Sequence, residues 1–421
     1  MDTSRSAADD AHIAGDASRL TPAQRAWVAQ AAELGPRFAA RAPAHDAQAS
    51  FPRENFRDLH AAGLLSLAVD PRHGGAGADL LGCGLVAAEL GRWCGATALC
   101  FSLHVSNTLW SGLVGDSLSM TGAQRAVHEA ARARHESAIA REGQVWAQTI
   151  SEGGAADAGK APWSTVARRV EGGYVVSGRK VFASMAGEAD VHGLLCTLQR
   201  PAATQADALF LAVPSDAPGL RVSGEWNPLG MRGTVSRTLE FHDVFVPDGD
   251  RVLPEGLYCQ AAARWPAMFL MTSPPYLGLA QAAHDFTVRY LCGEVPGLPP
   301  VQRRMYPTKQ FAVAQMRLKL EQMRALLLAC LAEAGPDPDR HARLRLLAAQ
   351  HTVVEQSAEI CQLALRTCGG QALTKNLPLE RLLRDARCGA VMLPWTAELC
   401  LDQLGRDSLY WAGEDEEAID G

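Results

Sequence analysis

The chain has no long apolar run. Its longest, such as ALLLACLA from Ala325, stop well short of the ~18 residues that a membrane-spanning helix needs. Positive charge is scarce as well: 40 Lys and Arg face 46 Asp and Glu with no basic block among them, so the electrostatic footprint of a nucleic-acid binder is missing. The eleven cysteines form neither a CxxC pair nor a Cys/His spacing suited to zinc. No metal site is expected, and the thiols read as reduced, mostly buried small groups of a protein kept in a reducing compartment. A GxSxG elbow, a P-loop and a GxGxxG fingerprint are all absent. If the chain is an enzyme, a bound cofactor carries the difficult chemistry. The N-terminal stretch lacks the apolar segment of a secretory leader, and Asp2, Asp9, Asp10 and Asp16 are foreign to an acid-poor transit peptide. A loose tail and a cytoplasmic protein are therefore expected.

Two kinds of periodicity are present. From Thr21 to about Ala140, and again from about Glu255, Ala, Leu and Arg recur at helical spacing. Thr21, Pro22 and Gln24 make a capping box with proline at the first helical position. FPRENFRDLHAAG predicts an amphipathic helix ending at Gly63. Gly74, Gly75 and Gly77 predict a tight turn, since the strand before and the Lys-Ser/Thr pair after that define a phosphate loop are missing. Val313, Met316, Leu320, Met323, Leu327 and Leu331 form one stripe, and Leu346, Val353, Ile360 and Ala364 another. The AGPDPDRH turn between them predicts an antiparallel pair. Between the helical blocks, GYVVSGRKVFAS and SRTLEFHDVFVP are short Val-, Phe- and Tyr-rich runs punctuated by Gly, Asp and Pro, as half-buried strands are. A small β module between two helical blocks follows.

These stretches carry a family likeness. SEGG, SGRKVFAS and LGMRGTVSRTLEFHDVFVP resemble the middle β domain of the acyl-CoA dehydrogenase family of flavoproteins. CGGQALTKNLPLERLLRDAR resembles that family's C-terminal signature, and AGLLSLAVDPRHGGAG lies upstream in the same order, so the likeness spans roughly Leu20 to Arg406. It implies an α+β fold: an N-terminal helical domain over 21–142, a central small β-barrel or sandwich over 143–252, and a C-terminal four-helix bundle over 253–410. A flexible tail at 1–20 and an acidic tail at 411–421 flank them. It also implies FAD as cofactor, a homo-oligomer such as a tetramer, and an electron-transferring flavoprotein as possible redox partner.

Residue by residue, the likeness puts flavin contacts on this chain. Ser151 and Ser184 stand where the family sets a hydroxyl against the isoalloxazine, Phe182 matches its aromatic at the ring, and Gln148 is a weaker addition. Strand alternation would point Phe182 and Ser184 the same way. Gly369 and Gly370 match a Gly-Gly whose backbone lies along the ADP portion of a neighbouring subunit's cofactor; a helix C-cap is the plainer reading of the same glycines. The pyrophosphate-contacting Arg aligns with Glu294, with Arg303 or Arg304 as substitutes.

The likeness fails at the catalytic base. The usual Glu position after RDA holds Leu393 or Pro394, and an alternative position on an earlier helix holds Met268. Glu398 lies several residues late. His104, in the apolar stretch CFSLHVSNTLW, is more simply a packed residue but stays a candidate. Expected coenzyme A contacts are replaced by Pro266, Phe269 and either Ala156 or Asp157. Without a placed base, α-proton removal loses roughly 10²- to 10⁴-fold in rate. The leading reading is α,β-desaturation of an acyl thioester, on CoA or a carrier protein, with hydride transfer to flavin. Flavin-dependent monooxygenation on the same fold needs no such base, although the His some such members carry after Arg-Asp is replaced by Arg387 and Cys388. A non-catalytic flavin-binding homologue is the third reading.

Overall fold

The computed structural model describes residues 13–154 and 161–410. The acidic tail, Ala156 and Asp157 lie outside these residues. Within the tail expected at 1–20, Ile13 is fully buried, and its carbonyl accepts a hydrogen bond from Arg324 Nε at 2.9 Å, while Asp16, Ser18 and Arg19 are exposed.

The N-terminal block consists of α1 (Pro22–Gln48), α2 (Arg53–Ala61), α3 (Leu80–Gly91), α4 (Gly95–Leu109) and α5 (Gly122–Glu142). The capping box at Thr21 forms as its sequence requires: Gln24 N–H donates to Thr21 Oγ1 at 3.2 Å and Thr21 N–H to Gln24 Oε1 at 3.0 Å. α2 stops where Gly63 takes a φ of +75°. The Gly-rich turn is structural: Gly74 and Gly77 have positive φ, and a Cβ on Gly75 would fall 2.2 Å from the Val69 carbonyl.

Among the described residues the β module has seven strands: β1 (Trp146–Thr149), β2 (Val166–Val170), β3 (Gly173–Ala183), β4 (Val191–Leu198), β5 (Ala208–Pro214), β6 (Leu220–Ser223) and β7 (Arg237–Pro247). They run in the order β1-β4-β2-β3-β7-β6, with β5 on the other edge of β4. β1 pairs in parallel with Val191–Leu194 and β2 with Thr197 and Leu198, so two strands share one edge of β4 in succession and the sheet curls. Tyr174, Val176, Leu194, Cys196, Leu211, Phe241 and Val244 fill a core of its own inside the curl.

The C-terminal block holds α6 (Tyr258–Arg264), α7 (Pro274–Cys292), α8 (Pro307–Ala332), α9 (Arg340–Cys368), α10 (Leu379–Arg387) and α11 (Ala397–Leu409). α8 and α9 are joined by a short turn and pack on each other, burying Met316, Leu320, Met323 and Leu327 against Val353, Ile360 and Ala364 as their stripes predict. α3 and α7 approach so closely that a Cβ on Gly278 would lie 2.1 Å from the Ala88 carbonyl. Among the described residues no helix is long and apolar enough to cross a membrane, and no group of His, Cys, Asp or Glu could hold a metal ion. All eleven cysteines are free thiols, eight of them buried.

Candidate functional site

The end of β3 departs from strand alternation. A register shift against β7 falls between Lys180 and Ala183, and Phe182 sits in it with a φ of +50°. Alternation therefore does not carry from Phe182 to Ser184. Phe182 is 72% exposed, its ring braced at 6.5 Å by the edge of Trp226, whereas Ser184 follows the strand and is nearly buried. Such a bulge re-aims a side chain that a regular strand would pair. An uncovered aromatic face with a hydroxyl beside it suits a planar heteroaromatic ring.

Ser184 begins a file of three hydroxyls. Ser184 Oγ lies 2.9 Å from Ser236 Oγ, Ser236 Oγ lies 2.7 Å from Thr234 Oγ1, and Thr234 Oγ1 lies 2.9 Å from the Met231 carbonyl. Met185 N–H donates to the Thr234 carbonyl at 2.7 Å, so backbone bonding fixes the two segments together. The far end is fastened to the helical bundle, where Met231 N–H donates to Asp385 Oδ1 at 2.6 Å. Burial raises the Asp385 carboxyl to about 6, against the opposing pull of that hydrogen bond.

Ser151 approaches the same strand end, its carbonyl accepting the Val181 N–H at 2.8 Å. The segment is held by a buried ion pair: Lys180 Nζ donates to Glu152 Oε1 and to the Ile150 carbonyl, both at 2.8 Å. The Glu152 carboxylate also accepts the backbone N–H groups of Ser164 and Thr165. Burial alone would raise its pKa, but the Lys180 charge and these hydrogen bonds outweigh burial and bring it down to about 2. Gln148 is half-buried on β1, in register with Gly193.

The two empty base positions lie in neighbouring segments. Phe269, next to Met268, packs its ring edge-on to Trp395, beside Pro394, at 5.6 Å between centroids. From there a file of rings continues through Trp110 at 6.2 Å and Tyr258 at 5.5 Å to Trp163 at 6.2 Å. Glu398 is exposed in the first turn of α11. His104 is fully buried and acts as a brace, which corrects its candidacy as a base: Nδ1 accepts the Trp146 N–H at 3.0 Å and Nε2 donates to the Leu65 carbonyl at 2.8 Å. With both nitrogens spent and burial lowering its pKa to about 4, the ring has no lone pair to offer a substrate.

A second group gathers where α7, α8 and α9 meet. The N–H groups of Arg303 and Arg304 both donate to the Leu291 carbonyl, and Lys309 Nζ donates to the Thr367 carbonyl. This brings the arginines to the end of α9, where Gly369 and Gly370 follow. Gly369 takes φ 85° and ψ −168°, open only to glycine, and a Cβ on either would meet no atom of the chain. Arg303 lies over the Tyr290 ring at 5.2 Å. Arg304 lines a cavity of about 840 Å³ with Arg289, Lys309, Arg317 and Arg381; none of its lining residues belongs to the Phe182 wall.

Trp226, Ser236, Thr234, Lys180, Trp110 and Trp395 are not signalled by sequence pattern. Each depends on a contact far along the chain. The departure from alternation around Phe182 is set in the same way, by a register shift against β7 between Lys180 and Ala183 that is separate from the one at Gly178.

Family profiles match three parts of the chain: "Acyl-CoA dehydrogenase, N-terminal domain" over residues 21–114, "Acyl-CoA dehydrogenase, middle domain" over 147–244 and "Acyl-CoA dehydrogenase, C-terminal domain" over 270–392. L-evernosamine nitrososynthase of Micromonospora sp. is 30% identical over 413 residues, covering 93% of this chain and 91% of the relative. The mitochondrial short-chain specific acyl-CoA dehydrogenase of Homo sapiens is 29% identical, over 81% of this chain and 79% of its own. Among solved structures, KijD3 in complex with FMN and dTDP-3-amino-2,3,6-trideoxy-4-keto-3-methyl-D-glucose superposes with a TM-score of 0.77 over 93% of this chain and 94% of that one, at 24% identity.

Proposed function

The chain belongs to the acyl-CoA dehydrogenase family, and from that premise we propose that it is a flavin-dependent monooxygenase that transfers one oxygen atom of dioxygen to a carbon or nitrogen centre of its substrate. One observation carries the reading: both positions for the family's carboxylate base hold apolar side chains, Met268 and Leu393 or Pro394, and the rings flanking them pack on each other. The relatives include a nitrososynthase and a short-chain specific acyl-CoA dehydrogenase, and the likeness to the nitrososynthase supports oxygen chemistry.

When bound, reduced flavin supplies the electrons that activate dioxygen. The chain's residues do the rest. Phe182, braced by Trp226, would offer its exposed face to the ring, and Ser151, Ser184 and Gln148 would supply hydrogen-bonding groups to hold it. The rings of Trp110, Phe269 and Trp395 exclude water from the substrate side, which strengthens every polar contact made there. We assign the flavin as FAD, with Arg303, Arg304, Gly369 and Gly370 of a second copy serving its pyrophosphate and adenosine. The exposed Met305, Tyr306, Phe311 and Leu318 near the start of α8 support association of copies as a homo-oligomer, for which we propose a cytoplasmic tetramer.

A second reading, desaturation of an acyl thioester with an electron-transferring flavoprotein as acceptor, is supported by the likeness to short-chain acyl-CoA dehydrogenase. It leaves the exposed Glu398 as its base. The test is direct. Product that forms only with dioxygen and a flavin reductase supports monooxygenation; anaerobic bleaching of the flavin by CoA or carrier-protein thioesters overturns it in favour of desaturation.

A further inference from the structure

The hydroxyl file behind the aromatic wall has a direction. Its three hydroxyls make three contacts with one proton each, and the last contact is to a carbonyl, which only accepts. Thr234 must therefore donate to Met231 O, so it accepts from Ser236, and Ser236 in turn accepts from Ser184. The reverse order would leave two oxygen acceptors, Thr234 Oγ1 and Met231 O, 2.9 Å apart with no proton between them at a site where Thr234 is 1% exposed. The backbone bonds from Met185 to Thr234 and from Met231 to Asp385 prevent the file from swinging apart to escape this.

We infer that Ser184 presents a lone pair and not a proton to the flavin, and that the chain thereby selects the reduced cofactor. The inference rests on the reading that the ring lies against Ser184. Oxidised flavin offers only an acceptor at N5, whereas reduced flavin carries an N5–H that donates. A Ser184 whose proton is committed inward complements the second and opposes the first. Tighter binding of the reduced form is, by linkage, a raised reduction potential of the bound flavin. For an enzyme that must hold reduced flavin until oxygen and substrate arrive, this is a useful bias.

The experiment is a dye-equilibrium titration of the reduction potential of the FAD-loaded protein, with Ser184→Ala, Ser236→Ala and Thr234→Val beside the wild type. One neutral hydrogen bond supports a change of about tenfold in the ratio of reduced to oxidised affinity, equivalent to ~30 mV for a two-electron couple. Ser184→Ala should lower the potential by about that much because the acceptor is lost. Ser236→Ala should lower it at least as far, because Ser184 is then free to donate to oxidised N5. Thr234→Val, which removes the end of the file with little change of shape, should also lower it. A rise in Ser184→Ala overturns the inference, since Ser184 would then have been a donor. No shift in any variant overturns it together with the placement of the ring at Ser184. A chain that takes up neither FAD nor FMN overturns the flavin reading itself.

Discussion

Lys180→Met isolates what the buried ion pair contributes. The Lys180 side chain is fully buried and meets a Glu152 carboxylate that is 6% exposed, so the substitution keeps most of the apolar stem and removes only the charge. Breaking a buried pair from one side typically costs about 3–5 kcal/mol because the remaining charge is stranded. Glu152 retains its bonds from Ser164 and Thr165, which places the expectation at the low end, ~3 kcal/mol. Hydrogen exchange reads this locally: the Ser164 and Thr165 amides should lose roughly 10²-fold in protection. The pH dependence supplies a second readout with a definite sign. Glu152 has its pKa depressed from 4.5 to about 2, so its contribution is complete above 4.5 and is lost as pH falls through about 2. Without Lys180 the folded pKa rises, and acid unfolding should begin at higher pH. Adding Glu152→Gln should recover much of the loss by removing the stranded charge. A single variant within ~1 kcal/mol of wild type, or a double variant no more stable than the single, would refute the reasoning.

Other perturbations follow from the same geometry. His104 has a folded pKa lowered from 6.5 to about 4, so the wild type should lose stability as pH falls from 6.5 towards 4, by up to ~3 kcal/mol, and His104→Gln should flatten that slope in urea titrations. Phe182→Ala should leave the melting temperature nearly unchanged, given the exposure of the ring, yet weaken flavin binding by tenfold or more on the order of an aromatic contact, as followed by flavin fluorescence. Gly278→Ala should destabilise by about 1–3 kcal/mol in thermal melts, because α3 and α7 must part to admit the methyl group.

Much of the fold was legible where local rules decide it. The Thr21 box, the α8 and α9 stripes and the two long strands are specified within a few residues of chain, and the structure follows them. The site was legible only in part. Ser151, Phe182 and Ser184 stand out by family likeness, but the direction of Phe182 depends on a bulge set by pairing with β7, which no alternation rule contains. His104 looks alike in sequence whether it braces or catalyses; its partners lie at Leu65 and Trp146, about forty residues away on either side. The hydroxyl file and the Lys180–Glu152 pair are likewise products of tertiary closure, joining positions 184 with 236 and 152 with 180. Charge and hydroxyl composition carry no trace of such pairings.

The file of rings from Trp163 through Tyr258, Trp110 and Phe269 to Trp395 crosses all three blocks of the chain. In optical terms it is a chiral array of coupled chromophores, with one tryptophan on the β module, one at the end of α4 and one before α11. Near-ultraviolet circular dichroism arises from rings held in fixed mutual geometry and vanishes when packing loosens while helices persist. The docking of sheet on bundle is therefore written into a spectrum separate from that of the backbone, and each block carries part of the signal.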